Sequence, residues 1–232
     1  MMNRPVNKLR ITTLNIRHGA DSSGKLQLDL IGKALRKTDS DVICLQEVDV
    51  YTKRSGNVDQ AQALATHLNC SAEFSMAQEY DGGQYGIAVL TNDEFLDSTT
   101  CLLPALSERT EPRIAMAIRV SGGYGIGNTH LSRNSNEAYK QATELFQLFP
   151  SWVEIICGDF NIGLENVPFD HSKWLSVFSP EDEPPTWPID NPKESIDHIL
   201  VTKMRWNVVS VKTLSTLSSD HLGIVADLER KL

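Results

Sequence analysis

The chain is poor in the features that would assign it to several large classes of protein. Its four cysteines, Cys44, Cys70, Cys101 and Cys157, include no Cys-x-x-Cys spacing, so neither a thiolate zinc cluster nor a disulfide framework is expected. Cys44 and Cys157 fall inside apolar runs and read as small core residues. No apolar run is long enough to span a bilayer, and residues 1–20 lack the continuous apolar stretch of a secretory signal. A cytoplasmic location is the expectation. Positive charge is short as well: 22 basic against 30 acidic residues leave a formal net charge of −8, which disfavours indiscriminate binding to nucleic acid or anionic lipid. A local basic pocket stays compatible with that balance, as does a divalent cation offsetting clustered carboxylates. There is no short-period repeat and no low-complexity tract, which excludes a solenoid.

What is present is 232 residues of 41% hydrophobic composition, enough for one sizeable domain over residues 1–232 and too little for two. Hydrophobic spacing predicts strand, helix, strand, helix over Leu9–Ile16, Leu26–Lys37, Val42–Glu47 and Val58–Leu68. Four shorter strands, Ala72–Ala77, Tyr85–Leu90, Leu96–Leu102 and Ile114–Val120, are punctuated by Gly, Asp and Pro, as antiparallel neighbours would be. Gly122-Gly123 then turns the chain into Tyr124–Leu131. A helix over Asn136–Phe149, a strand Val153–Cys157, a long irregular segment and strands at Ile196–Val201, Trp206–Thr213 and Leu222–Leu228 complete the pattern. Strands mixed with helices in this order predict an α+β protein of two packed sheets flanked by helices.

The most informative run is Ile155-Ile156-Cys157-Gly158-Asp159-Phe160-Asn161, an apolar strand that ends in two oxygen-bearing side chains. Side chains alternate along a strand, so residues two apart are expected on one face. Asp159 can accept a proton or hold a cation, and Asn161 can donate to an oxyanion without cancelling its charge. The same layout recurs around Asn15, Glu47, His130, Asp197 and Asp220-His221. Singly, each has an ordinary alternative: a strand-terminal Glu is often a solvated carboxylate, and an isolated histidine a satisfied core imidazole. Together they point to phosphate chemistry at one rim.

Leu14-Asn15, Leu45-Gln46-Glu47-Val48, Tyr85-Gly86, Thr129-His130-Leu131, Gly158-Asp159-Phe160-Asn161, Ile196-Asp197-His198 and Ser219-Asp220-His221 jointly resemble the endonuclease/exonuclease/phosphatase superfamily, in the family's order and over roughly residues 9–228. The resemblance implies the deoxyribonuclease-I-like fold, a four-layer α/β/β/α sandwich of two packed mixed β-sheets. It also implies metal-dependent hydrolysis of a phosphate ester by in-line attack of an activated water.

Carried over residue by residue, the resemblance makes Glu47 the main ligand of Mg2+ or Mn2+, with Asn15 and Asp220 beside it. Hard oxygen donors suit those ions, and no thiolate or zinc-spaced imidazole is in reach. Asp159 is expected to orient or deprotonate the attacking water, Asn161 to stabilise charge developing on the phosphate, and His130 to donate to a non-bridging oxygen. His221, hydrogen-bonded to Asp197, belongs at the phosphoryl centre, as general base or as electrostatic stabiliser.

Four more side chains are expected to touch the substrate. Arg113 is placed like a family arginine at the rim, with an ion pair to Glu111 as the alternative. Tyr85 could donate to phosphate, brace Glu47 or simply pack. Arg54 lies in a Thr-Lys-Arg-Ser-Gly stretch that resembles a segment of bacterial family members and could hold a second phosphate. Trp187, in the Pro-rich loop Pro180–Pro192, would stack on a base or sugar or cover the core. His18 could face the pocket, whereas His67, His171 and His198 are expected to be structural, His198 pointing opposite to Asp197.

The Gln46-Glu47-Val48-Asp49 form of the glutamate motif resembles the phosphatase, deadenylase and sphingomyelinase branches more than the abasic-site endonucleases, which carry Gln-Glu-Thr-Lys. Hydrolysis of a phosphodiester is therefore the leading expectation, and a nuclease acting on DNA or RNA the second. A non-catalytic binding module on the same fold would be expected to have lost Glu47, Asp159, Asp220 or His221, and all four are present.

Overall fold

The computed structural model describes residues 7–107, 110–179, 181–216 and 218–231. Its first half contains β1 (Lys8–Asn15), α1 (Leu28–Thr38), β2 (Val42–Val50), α2 (Gln60–Leu68), β3 (Ser71–Tyr80), β4 (Gly83–Thr91), β5 (Phe95–Leu102) and β6 (Ile114–Val120). The second half contains β7 (Gly125–His130), α3 (Ser135–Leu148), β8 (Ile155–Asp159), β9 (Trp174–Ser176), β10 (Asp197–Thr202), β11 (Trp206–Leu214) and β12 (Gly223–Arg230). Local chemistry sets several of these limits. Asp59 accepts the Gln62 N–H to begin α2, which stops at Asn69 in the left-handed conformation. Asn134 accepts from the N–H groups of Asn136 and Glu137 to begin α3.

The strands form two six-stranded sheets, ordered β11-β12-β1-β2-β4-β3 and β5-β6-β7-β8-β10-β9. Val42, Cys44, Met116, Ile126, Cys157 and Ile199 fill the space between them. On the outer face of the first sheet, α1 and α2 bury Ile31, Leu35 and Leu64 against Leu14, Ile43 and Leu45. On the second, α3 buries Ala138, Ala142 and Leu145 against Ile156 and Leu200. The result is a four-layer α/β/β/α sandwich, in which every residue of β2 is buried because both of its faces are covered. Each such aliphatic side chain contributes about 1.5–3 kcal/mol on burial. No described helix is long and apolar enough to cross a membrane.

Two elements depart from the sequence expectation. The irregular segment before Ile196 contains the short strand β9, paired with β10 through Leu175↔Val201, which its brief apolar run did not signal. β2 does not stop at Glu47 but continues to Val50 through an irregularity. Opposite β4 the register jumps from Leu45↔Ala88 to Val48↔Gly86, a bulge that turns the chain at Gln46-Glu47. Pro180, the first residue of the Pro-rich loop, lies outside the described residues.

Topology gathers the polar strand ends at one rim. Parallel β1 and β2 bring Asn15 beside Gln46, and parallel β7 and β8 bring His130 beside Asp159. Antiparallel β10 starts where β8 ends, so Asp197 faces Asp159. The loop before β12, antiparallel to β1, delivers Asp220 and His221 to the same end. Gly158 permits the close approach of β7 and β8 there, since a Cβ at that position would lie 2.2 Å from the Thr129 carbonyl oxygen.

Candidate active site

Glu47 reaches the cleft because of the bulge. Its backbone adopts φ 54°, which swings the side chain out of strand alternation. Asn15 holds it there: Nδ2 donates to Glu47 Oε1 at 3.1 Å and to Asp159 Oδ2 at 2.9 Å, while Oδ1 accepts the Arg17 N–H at 2.9 Å. The donor and acceptor ends of this amide are thereby fixed. Its oxygen accepts one backbone N–H and keeps a second lone pair, while its Nδ2 ties the carboxylate of one sheet to that of the other.

Asp159 Oδ2 is the point where the site converges. Besides Asn15, it has His130 Nε2 at 3.4 Å and His221 Nε2 at 3.7 Å. Asp159 is buried, and burial raises its pKa, an effect opposed by the positive charge of His221.

The two histidines are held in different protonation states by their outer partners. Arg113 Nη1 lies 2.7 Å from His130 Nδ1, and since a guanidinium only donates, that nitrogen accepts and the proton sits on Nε2. Burial and the neighbouring Arg113, His221 and Arg133 push the His130 pKa well down, so the ring is neutral. Its Nε2 is buried without a hydrogen-bond partner among the described residues, 3.4 Å from Asp159 Oδ2. His221 is the opposite case: Nδ1 lies 2.9 Å from Asp197 Oδ2. Burial opposes its charge, but Asp197 and Asp159 raise its pKa to about 10, so the ring is an imidazolium at neutral pH.

Asp159, Asp197 and His221 also bring one ligand-type atom each within 4.8 Å of one another. The His221 ring pairs with both carboxylates. Glu47 Oε2 accepts no hydrogen bond among the described residues, which leaves a hard oxygen donor of the kind magnesium or manganese takes.

A model of the Endonuclease/Exonuclease/phosphatase family matches residues 12–221. The chain belongs to this family. Its members are hydrolases acting on phosphate esters. Solved structures share its fold. An endonuclease/exonuclease/phosphatase from Beutenbergia cavernae DSM 12333 has TM-score 0.78 and 19% identity, covering 97% of this chain and 72% of that one. The human Nocturnin catalytic domain with bound sulfate has TM-score 0.74 and 24% identity over 97% and 94% of the two chains. ANGEL2, a 2',3'-cyclic phosphatase in complex with adenosine-2',3'-vanadate, has TM-score 0.70 and 15% identity over 97% and 96%. A comparison with curated proteins finds no match.

The remaining residues expected in an endonuclease/exonuclease/phosphatase site are distributed around this centre. Asn161 reaches it by a different route from strand alternation: β8 ends at Asp159, and Asn161 turns back with φ 53°. Its N–H bonds Asp159 Oδ1 and its Nδ2 donates to the Leu131 carbonyl, leaving one amide hydrogen for the cleft. Asp220 faces Arg17 Nε and Trp187 Nε1, each at 3.5 Å from Oδ2. Tyr85 is buried on the opposite wall, where burial and the nearby Glu47 carboxylate raise its pKa. Arg54 is fixed to buried Asp49 by two hydrogen bonds of 2.7 and 2.8 Å, with its guanidinium over the ring of Tyr80. Arg113, beyond its bond to His130, lies 3.4 Å from Glu111, the ion pair that was its alternative reading.

His18 lies beside Glu47, with Nδ1 4.0 Å from Oε2. His198 points away from Asp197 and bonds Glu183 and the Ile162 carbonyl. Sequence reading passed over Arg17, Arg133 and the buried Gln60. Gln60 accepts the Asp49 N–H and donates to the His18 carbonyl, bracing both flanks of Glu47. Arg133 stands two residues past the Thr129-His130-Leu131 motif, and that adjacency was its one available signal.

Proposed function

We propose that this family member is a Mg2+- or Mn2+-dependent phosphodiesterase that hydrolyses its substrate by in-line attack of water. The observation that carries the reading is the convergence of Asn15, His130 and His221 on one oxygen of Asp159. Glu47 and Asp220 would hold the ion, which supplies charge neutralisation at the phosphoryl oxygens when bound. Asn15 orients Glu47.

Asp159 accepts the proton of the attacking water, its burial having raised its basicity toward neutrality. His221, whose pKa the Asp197 and Asp159 carboxylates raise, is assigned to electrostatic stabilisation and not to the base. Held by Asp197, it offers Nε2–H to the charge that builds on phosphorus, and neutral His130 offers a second N–H from the other side. Asn161 donates its remaining amide hydrogen without altering the charge. Arg113 acts through His130, while Tyr85, Arg54 and Trp187 line the space for the ester's substituents. The sulfate of Nocturnin and the adenosine-2',3'-vanadate of ANGEL2 support a phosphate-like ligand on this fold.

Turnover of bis(para-nitrophenyl) phosphate with magnesium or manganese, in wild type and Asp159→Asn, tests the reading. Loss of a positioned base lowers the rate by about 10²–10⁴. Equal turnover by the two proteins would remove Asp159 from the mechanism, and no turnover of any phosphate ester would remove the hydrolase.

A further inference from the structure

Two cavities of about 220 Å³ each flank the reaction centre. One opens beside Glu47 and is walled by Arg54, Gln78, Tyr80, Tyr85 and Glu111. The other opens beside His221 and is walled by Asn161, Trp187, Glu194 and Ile196. Arg133 belongs to the wall of both. It projects from the loop after β7 with 70% of its side chain exposed, and its nearest charged group is Glu47, with Nη2 3.7 Å from Oε1. That separation is too long for a hydrogen bond, and among the described residues its donors have no hydrogen-bond partner.

The charge of the first cavity narrows what it takes. Arg54 is neutralised by its two bonds to Asp49, and Arg113 faces Glu111, so neither offers an unpaired cation to a second phosphate. Aromatic walls with an amide and a carboxylate suit an uncharged ring with hydrogen-bonding edges. Trp187 gives the second cavity the same character. At about 30 Å³ per water, each holds roughly seven waters' worth of volume, which is room for one ring system.

We propose that Arg133 clamps the phosphoryl group of a two-armed phosphodiester, one arm seated in each cavity, and so sets a preference for diesters over monoesters. The inference rests on the hydrolase reading above. A diester keeps one negative charge and two substituents, and both of its arms must pass under the residue common to the two walls. The planar guanidinium can then grip two phosphoryl oxygens, a geometry that an ammonium does not reproduce.

The test compares bis(para-nitrophenyl) phosphate with para-nitrophenyl phosphate in wild type, Arg133→Ala and Arg133→Lys, with magnesium affinity measured separately by calorimetry. Wild type should favour the diester in kcat/KM. Arg133→Ala should raise the diester KM by about tenfold or more, the loss expected for one charged hydrogen bond. Arg133→Lys should recover part of it. If Arg133 is only a counter-charge for Glu47, its removal tightens magnesium binding and leaves the diester KM in place, which overturns the proposal. A wild type that prefers the monoester overturns it too. A wild type inactive on both esters instead defeats the hydrolase reading, so the two failures are distinguishable.

Discussion

Arg113 Nη1 donates to His130 Nδ1 at 2.7 Å in the buried floor of the cleft, and this contact decides which ring nitrogen faces the substrate. Removing the guanidinium leaves Nδ1 free to carry the proton. Arg113→Ala should therefore convert His130 from the Nε2–H tautomer to a mixture, visible in the imidazole ¹⁵N shifts, and lower kcat by about 10²-fold. A pure Nε2–H tautomer in the variant would mean that Arg113 does not set it.

His221 makes the ion-free protein sensitive to alkali. Burial acts against its charge, but Asp197 and Asp159 raise its pKa from 6.5 to about 10. A folded-state pKa above the unfolded one contributes stability fully below about pH 6.5, which declines as pH rises and is lost as it passes about 10. With magnesium chelated, the urea midpoint of wild type should fall between these limits, and His221→Asn should flatten that fall. Parallel curves for the two proteins would contradict the assignment.

Glu47 and Asn15 should separate binding from positioning. Glu47→Ala is expected to abolish the calorimetric magnesium signal and the rise in melting temperature that magnesium causes. Asn15→Ala should leave a measurable site weakened by about 10–100-fold, the usual effect of losing a residue that orients a ligand. Indistinguishable affinities in Asn15→Ala and wild type would show that Glu47 holds its place unaided.

Between the sheets, Gln46 Nε2 donates to Asn128 Oδ1 at 2.7 Å, while Asn128 Nδ2 donates to the carbonyls of Leu45 and Ala88. The pair sits at the break in the β2–β4 ladder that creates the Glu47 bulge. Asn128→Leu strands three buried polar groups at about 1–3 kcal/mol each in the worst case, so a loss of about 3 kcal/mol is expected in urea unfolding. A change under about 1 kcal/mol would mean that water or relaxation satisfies them.

Much of this arrangement was legible before any fold was known. The apolar runs of Leu9–Ile16 and Tyr85–Leu90 reflect burial inside the sandwich, and the helical spacing in Asn136–Phe149 reflects burial of one helix face, both of which any packed structure must respect. β9 was not legible, because three residues carry too little periodicity and its existence depends on β10 lying alongside. Arg133 was hidden for a related reason: an exposed loop arginine looks the same in sequence whether it faces bulk water or the seam between two cavities.

By itself the sequence determined the strand and helix succession, the polar residues at the strand ends and the family to which they belong, since these are properties of local pattern and residue chemistry. Only the tertiary structure decided how those residues act. The bulge at Glu47, the left-handed turn at Asn161, the amide of Asn15 turned hydrogen-first toward two carboxylates and the opposite protonation of His130 and His221 each depend on a partner far along the chain. Protonation and hydrogen-bond polarity are set by burial and by the nearest charge, and neither exists until the two sheets have closed on each other.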